Sequence, residues 1–356
     1  MLNTETMEKD SARLEQVRSL FGSDVRLSEP FPGRPPLWIE PVEPELAQHI
    51  DAATAWVVNN RAAIEAALLS FGALFWRGFA VHRPEEFERF LSDFTPFSQG
   101  YVGGTSHRKA VTGKVMEATR ADDHINIIMH QEMAYLPNTP RLLALYCNKA
   151  AEVGGETPIA DMRGLMEALP QGFQDKLKAH GVRYIRNFRN EDTLNDWRAD
   201  PSFNHHSWQY WFETTDRAEV ERVMIERGSN VQWNEDGSLT IWTVLPGTAV
   251  HPKTGETLFF NQIYAMRQHR LTIGEEKIAR IDAAYPNYLD KPNAAAFGNG
   301  EPLSEEDFLA MHTEMERREV AFCWEPGDVM LLDNKLTAHG RHPYKGQRDT
   351  QVMLFE

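Results

Sequence analysis

The period of the apolar positions changes several times along the chain, and each change predicts an element. From Pro44 to Ser70, residues Leu46, Ile50, Ala53, Val57, Ile64, Ala67 and Leu68 recur near the helical period with charges between them, which predicts one long helix or two in series. Gly72 breaks that pattern, and Ala73-Leu-Phe-Trp-Arg-Gly-Phe79 reads as a buried strand. Pro84-Glu-Glu then opens a helix carrying Phe87, Phe90, Leu91 and Phe94, because proline is already set for a first helical turn. Further strands are predicted at 142–147, 182–188, 238–244, 257–260, 320–324, 329–332 and 351–355, with turns at 235–237 and 325–328. Helices are predicted at 165–180, 218–227, 275–289 and 304–318, the last opened by the capping pattern Ser304-x-x-Asp307. Strands spread over the whole length and interrupted by helices predict a β-rich α+β fold, one core with flanking helices and insertions.

Composition narrows the class. The 356 residues are 42% hydrophobic and 25% charged, ordinary globular usage that excludes a disordered chain. A formal charge of −15 leaves no general basic field for a nucleic-acid backbone or an anionic lipid surface. The most apolar stretch, around Leu68 to Trp76, is far shorter than the roughly 20 residues that span a bilayer. The amino terminus mixes Glu8, Lys9, Asp10, Arg13 and Glu15 and lacks the apolar core of a secretory signal. A cytoplasmic protein with neither a nucleic-acid nor a membrane partner is expected. Cys147 and Cys323 are too few for a disulfide framework or a thiolate metal cage and read as buried small hydrophobes.

The chemistry concentrates in Ile127-Ile-Met-His130-Gln-Glu132-Met-Ala-Tyr135. On a strand, His130 and Glu132 lie two apart and present an imidazole and a carboxylate to one point. A second segment, Asp333-Asn-Lys-Leu-Thr-Ala-His339-Gly-Arg-His-Pro-Tyr344, follows the predicted strand 329–332 and supplies an isolated histidine at its end. Two imidazoles and one carboxylate on one face of a metal, with the other positions open, suit non-haem Fe(II) and dioxygen.

These segments resemble the Fe(II)/2-oxoglutarate-dependent dioxygenases of the TauD/TfdA superfamily, in particular its SyrP-like branch. The resemblance runs from Gly72 to the carboxyl terminus and rests on His130-Gln-Glu132-Met-Ala-Tyr, Gly154-Gly-Glu-Thr157-Pro-Ile-Ala-Asp161, His251-Pro-Lys-Thr-Gly-Glu256 with Phe260-Asn261-Gln262, and Asp333-Asn-Lys-Leu-Thr-Ala-His339-Gly-Arg. It implies a double-stranded β-helix, or jelly roll, with the metal in its mouth. It implies His130, Glu132 and His339 as iron ligands, and Thr157 as a contact of the 2-oxoglutarate carboxylate. An arginine after the last histidine completes that clamp, since a planar guanidinium matches a carboxylate as a bidentate fork. Arg348 matches the SyrP-like position, Arg341 competes with it, and Asp349 stands where a second basic residue is common. Glu132 occupies the position that related halogenases fill with a small residue, so the resemblance implies hydroxylation of an aliphatic carbon, or desaturation or cyclisation by the same iron chemistry. The implied substrate is an amino acid or an amino-acid-derived molecule of specialised metabolism, free or tethered to a carrier protein, with O2 and 2-oxoglutarate as co-substrates. A zinc hydrolase and a non-catalytic jelly-roll binding protein are the rivals from other classes, and neither accounts for Thr157 and Arg348 beside the ligands.

Asn126, Arg186, Asn261 and Gln262 are candidate substrate-pocket residues, with Arg189 beside them, and a structural role is the plain alternative for each. His205-His206 reads as a solvated or capping pair, because adjacent side chains diverge on most backbones. The aromatic set Trp208, Tyr210, Trp211 and Phe212 could close over a substrate or simply form core. Residues 1–43, with the proline-rich run Glu29-Pro-Phe-Pro-Gly-Arg-Pro-Pro36, read as an arm. Ligands in both halves of the chain then require residues 44–356 to build one decorated domain, in which 190–233 is a candidate lid or insertion.

Overall fold

The apolar runs at 73–76, 142–147, 329–332 and 351–355 are buried on both faces, and their alternation sets the layers. A computed structural model describes residues 12–98, 109–118 and 121–356; residues 1–11 of the expected arm lie outside the described residues. The chain forms two compact units, Met1–Gly164 with Val250–Leu258 and Met315–Glu356, and Leu165–Ala249 with Phe259–Glu314.

The first unit holds an eight-stranded sheet in the order Val25–Ser28, Leu37–Pro41, Ala73–Trp76, Val329–Asp333, Leu142–Lys149, Asp349–Phe355, Val115–Glu117 and Ala110–Thr112. All its neighbours pair antiparallel except Leu37–Pro41 with Ala73–Trp76. Successive side chains of a strand point to opposite faces. Leu74, Trp76, Leu142, Ala144, Tyr146, Val329, Leu331, Met353 and Phe355 therefore share one core with Val57, Leu68, Phe87 and Phe90 from the helices Ile50–Asn59, Arg61–Phe71 and Pro84–Phe90. Their neighbours Ala73, Phe75, Leu143, Leu145, Met330, Leu332, Val352 and Leu354 form a second core on the other face, with Ile159 and Met133. The proline-rich run connects the two strands at the sheet edge.

The second unit holds an antiparallel four-stranded sheet ordered Asn230–Trp233, Leu239–Leu245, Val182–Phe188 and Asn293–Phe297. Phe188, Leu239 and Ile241 pack with Trp208, Val220 and Met224. Region 190–233 is more regular than its composition predicts. The helices Trp208–Phe212 and Arg217–Glu226 are started by Ser207 and Asp216, whose side chains accept from Tyr210 N–H and Ala218 N–H.

Other departures have local causes. The helical run after Pro44 is three helices, Pro44–Gln48, Ile50–Asn59 and Arg61–Phe71, because His49 is extended (φ −127°, ψ 116°) and Asn60 leaves helical geometry. Pro170 divides the helix predicted over 165–180 into Leu165–Ala168 and Gln171–His180. The helix Glu275–Ala284 stops short of Pro286, since the residue before a proline is pushed out of helical geometry. Half of the predicted capping box forms at Glu305–Arg318, where Ser304 Oγ accepts from Asp307 N–H at 3.0 Å. The strand expected over 320–324 is reduced to one bridge, Val320 with Ile159, and Cys323 is exposed where its sequence predicts a buried cysteine. No helix of the described residues is long and apolar enough to cross a membrane.

Glu65 ties three distant segments of the first unit together, accepting hydrogen bonds from Arg61 at 2.9 Å, Arg141 at 2.7 Å and Lys253 at 2.6 Å. Burial alone would raise its pKa, but these three cations hold it down, from 4.5 to about 2. A carboxyl depressed in the folded state adds stability that is present above its unfolded pKa and is lost as pH falls toward its folded one. Glu65→Gln is expected to cost about 2 kcal/mol at pH 7 and progressively less as pH falls from 4.5 toward 2, by urea melts across that range. An equal cost at both ends of the range would refute the role of its charge.

Candidate metal centre

Strand Thr337–Arg341 lies between Ile127–His130 and Ile159–Asp161, antiparallel to both, and places His339 directly opposite His130. The two imidazole centroids are 4.6 Å apart. Gly340 permits this approach, since a Cβ there would lie 2.5 Å from the Ile127 carbonyl oxygen. His339 is thus in mid-strand. The sequence pattern puts it at the end of the preceding strand, but Asp333 Oδ1 accepts from Lys335 N–H and Leu336 N–H, closing a turn after which the chain re-enters a sheet.

Glu132 reaches the same point by a different route from strand alternation. The strand ends at His130, and Glu132 sits in the turn beyond it. Its Oε2 is 3.6 Å from His339 Nε2, and ligand atoms of His130, Glu132 and His339 all lie within 4.8 Å of one another. Glu132 and His339 are buried and His130 is half-buried. The Nδ1 of His130 is 2.9 Å from the Ile128 carbonyl, to which a protonated Nδ1 donates, and this assigns the lone pair to Nε2. Two imidazoles and a carboxylate within that span are a donor set able to hold a divalent metal, and their chemistry fits Fe(II).

One small cavity, about 40 Å³, is lined by these three residues together with Thr157, Arg341 and Arg348, and by the apolar Ile127 and Leu145. Arg348 donates from Nε to the Gly155 carbonyl at 2.9 Å and from Nη2 to Thr157 Oγ1 at 3.1 Å. Gly155 has a φ of +76°, and a Cβ on it would press on Arg348 Cδ at 3.1 Å, so this glycine makes room for the arginine side chain. Burial, then the charge of Arg341, pushes the Arg348 pKa down to about 10. No ion pair to a carboxylate neutralises it among the described residues. Arg341 spends its guanidinium on the Ala121, Asp122 and Ile125 carbonyls at 2.9, 2.6 and 3.0 Å, and burial lowers its pKa as well. Asp349, the departure noted in the sequence, accepts from Asn148 at 2.6 Å.

His251 is legible in the sequence only as part of a motif. It is fully buried and donates from Nε2 to Asp333 at 3.1 Å, because its Nδ1 accepts from Lys253 N–H and Thr254 N–H. Asp333 therefore fastens 251–254 to the turn leading into the His339 strand.

The remaining candidates are not among the residues that line this cavity. Asn126 is exposed and Ile127 lines the cavity in its place, as pairing shifts register between His339 and Arg341. Arg186, Asn261 and Gln262 belong to the second unit. There Arg186 lies 4.0 Å over the Trp211 ring, Asn261 donates to the Gly247 carbonyl, and Gln262 N–H donates to the Tyr184 hydroxyl. Arg189 donates to the His205 carbonyl. His205 is buried with Nδ1 2.8 Å from the Tyr285 hydroxyl, so it is not the solvated residue its sequence suggests, while His206 stacks on Tyr210.

Two histidines and one carboxylate whose ligand atoms lie this close can hold a single metal ion, and the guanidinium in the same cavity wall has no carboxylate partner among the described residues. The chain belongs to the family described as taurine catabolism dioxygenase TauD, TfdA family, whose model matches residues 38–354. It is a 2-oxoglutarate-dependent non-haem iron dioxygenase, with Fe(II) as its metal, 2-oxoglutarate and O2 as co-substrates and a small molecule as substrate. It is 28% identical over 293 residues to the dapdiamide synthesis protein DdaC of Enterobacter agglomerans, covering 82% of this chain and 84% of that protein. It is 28% identical over 338 residues to a clavaminate synthase-like protein of Arabidopsis thaliana, covering 92% of this chain and 94% of that protein. Its fold is similar to PvcB of Pseudomonas aeruginosa, with a TM-score of 0.51 at 14% identity over 94% of this chain and 92% of that one.

The contact at Gly340 gives a direct check. Gly340→Ala forces the strands carrying His130 and His339 apart and is expected to destabilise the protein by about 1–3 kcal/mol, read as a lower urea midpoint at unchanged slope. An unchanged midpoint would show that the close approach does not constrain the centre.

Proposed function

We propose that His130, Glu132 and His339 are the iron ligands and that Thr157 and Arg348 bind the distal carboxylate of 2-oxoglutarate, in an oxygenase that hydroxylates an aliphatic carbon. The observation that carries this reading is the small cavity lined by all five residues, with a half-buried guanidinium in its wall that has no carboxylate partner among the described residues. With Fe(II) bound, the centre couples decarboxylation of 2-oxoglutarate to succinate and CO2 with transfer of one oxygen atom from O2 to a C–H bond.

The protein's residues prepare that chemistry. Gly155 and Thr157 hold Arg348 in the cavity wall, where a carboxylate would give the guanidinium an ion pair it lacks among the described residues. Arg341, already committed to three carbonyls, is assigned the structural role of holding 121–125. Ile127 and Leu145 keep water from the donors, which strengthens every charge interaction among them. In this reading the eight-stranded sheet and the three-stranded sheet carrying His130 and His339 form the double-stranded β-helix of the family, and the chain falls in its SyrP-like branch. Asn126, Arg186, Asn261 and Gln262 keep no role in the iron and 2-oxoglutarate assignment.

For the substrate we propose an amino acid or amino-acid-derived molecule of specialised metabolism, free or on a carrier protein, in a cytoplasmic enzyme. The relatives named for dapdiamide synthesis and for an isonitrile synthetic pathway support that setting.

Anaerobic addition of Fe(II) and 2-oxoglutarate is expected to produce a visible metal-to-ligand charge-transfer band, and O2 then yields succinate when a panel of amino acids is supplied. Product mass separates hydroxylation, a gain of oxygen, from desaturation or cyclisation, a loss of two hydrogens. Glu132→Ala is expected to abolish turnover in a folded protein; retained hydroxylation would mean another carboxylate serves. Arg348→Gln is expected to raise KM for 2-oxoglutarate about 10- to 100-fold, the loss of a charge-assisted pair, while Arg341→Gln lowers thermal stability and leaves that KM within about twofold. The reverse pattern would transfer the clamp to Arg341.

A further inference from the structure

We propose that Asn334 is a positioning residue that aims the Glu132 carboxylate by gripping the backbone of Glu132 against a strained turn. The inference rests on the reading of Glu132 as a metal ligand and adds what sets its direction.

Asn334 is fully buried, and the hydrogen bonds of its side-chain amide converge on one place. Its Oδ1 accepts from Glu132 N–H at 2.7 Å, and its Nδ2 donates to the Glu132 carbonyl at 2.9 Å and to the Pro140 carbonyl at 3.0 Å. Both peptide groups flanking the Glu132 Cα are therefore held by one side chain far away in sequence. Gln131 adds a further tie to the same turn, donating from Nε2 to the Lys335 carbonyl at 3.0 Å.

The next residue shows why such a grip is needed. Met133 has a φ of 56°, in the left-handed region that a side chain with a Cβ disfavours, and it is buried in the second core of the first unit. A non-glycine residue held there persists only where its surroundings over-determine the backbone. Releasing the Glu132 carbonyl lets the peptide between Glu132 and Met133 rotate toward ordinary values. That rotation swings the Cα–Cβ direction of Glu132, and a flexible side chain cannot be relied on to restore the carboxylate to the two imidazoles. Only an amide side chain grips both peptide groups at once, since aspartate keeps the acceptor and loses both donors, and alanine loses all three.

The test measures Co(II) affinity and the Co(II) visible spectrum in the full chain for wild type, Asn334→Ala, Asn334→Asp, Glu132→Ala and Glu65→Gln. Glu65→Gln serves as the control for lost stability away from the centre. Asn334→Ala is expected to weaken Co(II) binding about 10- to 100-fold and to change the visible spectrum, as loss of a group that orients a ligand does. Asn334→Asp is expected to fall between it and wild type, and Glu65→Gln to bind as wild type. Wild-type affinity and spectrum in Asn334→Ala, with binding lost in Glu132→Ala, would overturn the positioning role and leave the ligand assignment standing. Wild-type affinity in Glu132→Ala would instead overturn the ligand assignment. Should Asn334→Ala fail to fold, Asn334→Asp decides the matter, and wild-type binding by it overturns the proposal.

Discussion

The first unit depends on one antiparallel contact, the pairing of His339 with His130. It requires two strands remote in the chain to approach closely enough to put imidazole rings 4.6 Å apart, and Gly340 is the residue at which they touch. A strand buried on both faces has little freedom to slide, because a shift of one residue would turn every side chain to the wrong layer. The alternation of Leu143, Leu145, Met330, Leu332, Val352 and Leu354 across the large sheet thus fixes the floor of the centre, and Ile159 in the neighbouring strand packs on the same core. The polar ties at the Asp333-Asn334 turn then set the two segments that leave the strands: Asp333 fastens 251–254, and Asn334 fastens the turn that carries Glu132.

Charge is distributed by the same logic. Where a half-buried ion has its partners inside the protein, as Glu65 has Arg61, Arg141 and Lys253, the result is a brace. Arg341 is similar, with carbonyl oxygens in place of carboxylates. Arg348 differs, since it is half-buried beside Thr157 and makes no ion pair among the described residues. A cation left in a low-dielectric wall raises the free energy of the protein until an anion arrives, so the same desolvation that costs stability favours a carboxylate ligand. Two arginines seven residues apart, indistinguishable by composition, differ in what surrounds their guanidinium groups.

Much of the fold is legible along the chain. Strand Val182–Phe188 has the bounds its pattern predicts, and Leu142–Lys149, Val329–Asp333 and Asp349–Phe355 extend theirs by only one or two residues, the last three because their apolar runs bury on two faces. Strand Thr337–Arg341 is not legible: Thr-Ala-His-Gly-Arg has neither alternation nor bulk, and only its neighbours on both sides make it a strand. Asn230–Trp233 is hidden in a region whose polar and aromatic content reads as loop, though it pairs along Leu239–Leu245. In the candidate site, His130, Glu132 and His339 can be picked out as residue types at suggestive spacings. Asn334 cannot, since an asparagine after a strand ordinarily signals a turn and nothing more.

Residue type and period are local properties, and they suffice to say which residues have the chemistry for a metal centre and a carboxylate clamp, and which runs must be buried. Four features of the centre depend instead on packing: His339 faces His130, Glu132 sits in a turn beside the left-handed Met133 in place of a strand, Arg341 is spent on backbone carbonyls, and Asn334 meets Glu132. Each of these is a distance between segments remote in the chain, and such distances are set by both sheet faces packing together, which no local pattern encodes.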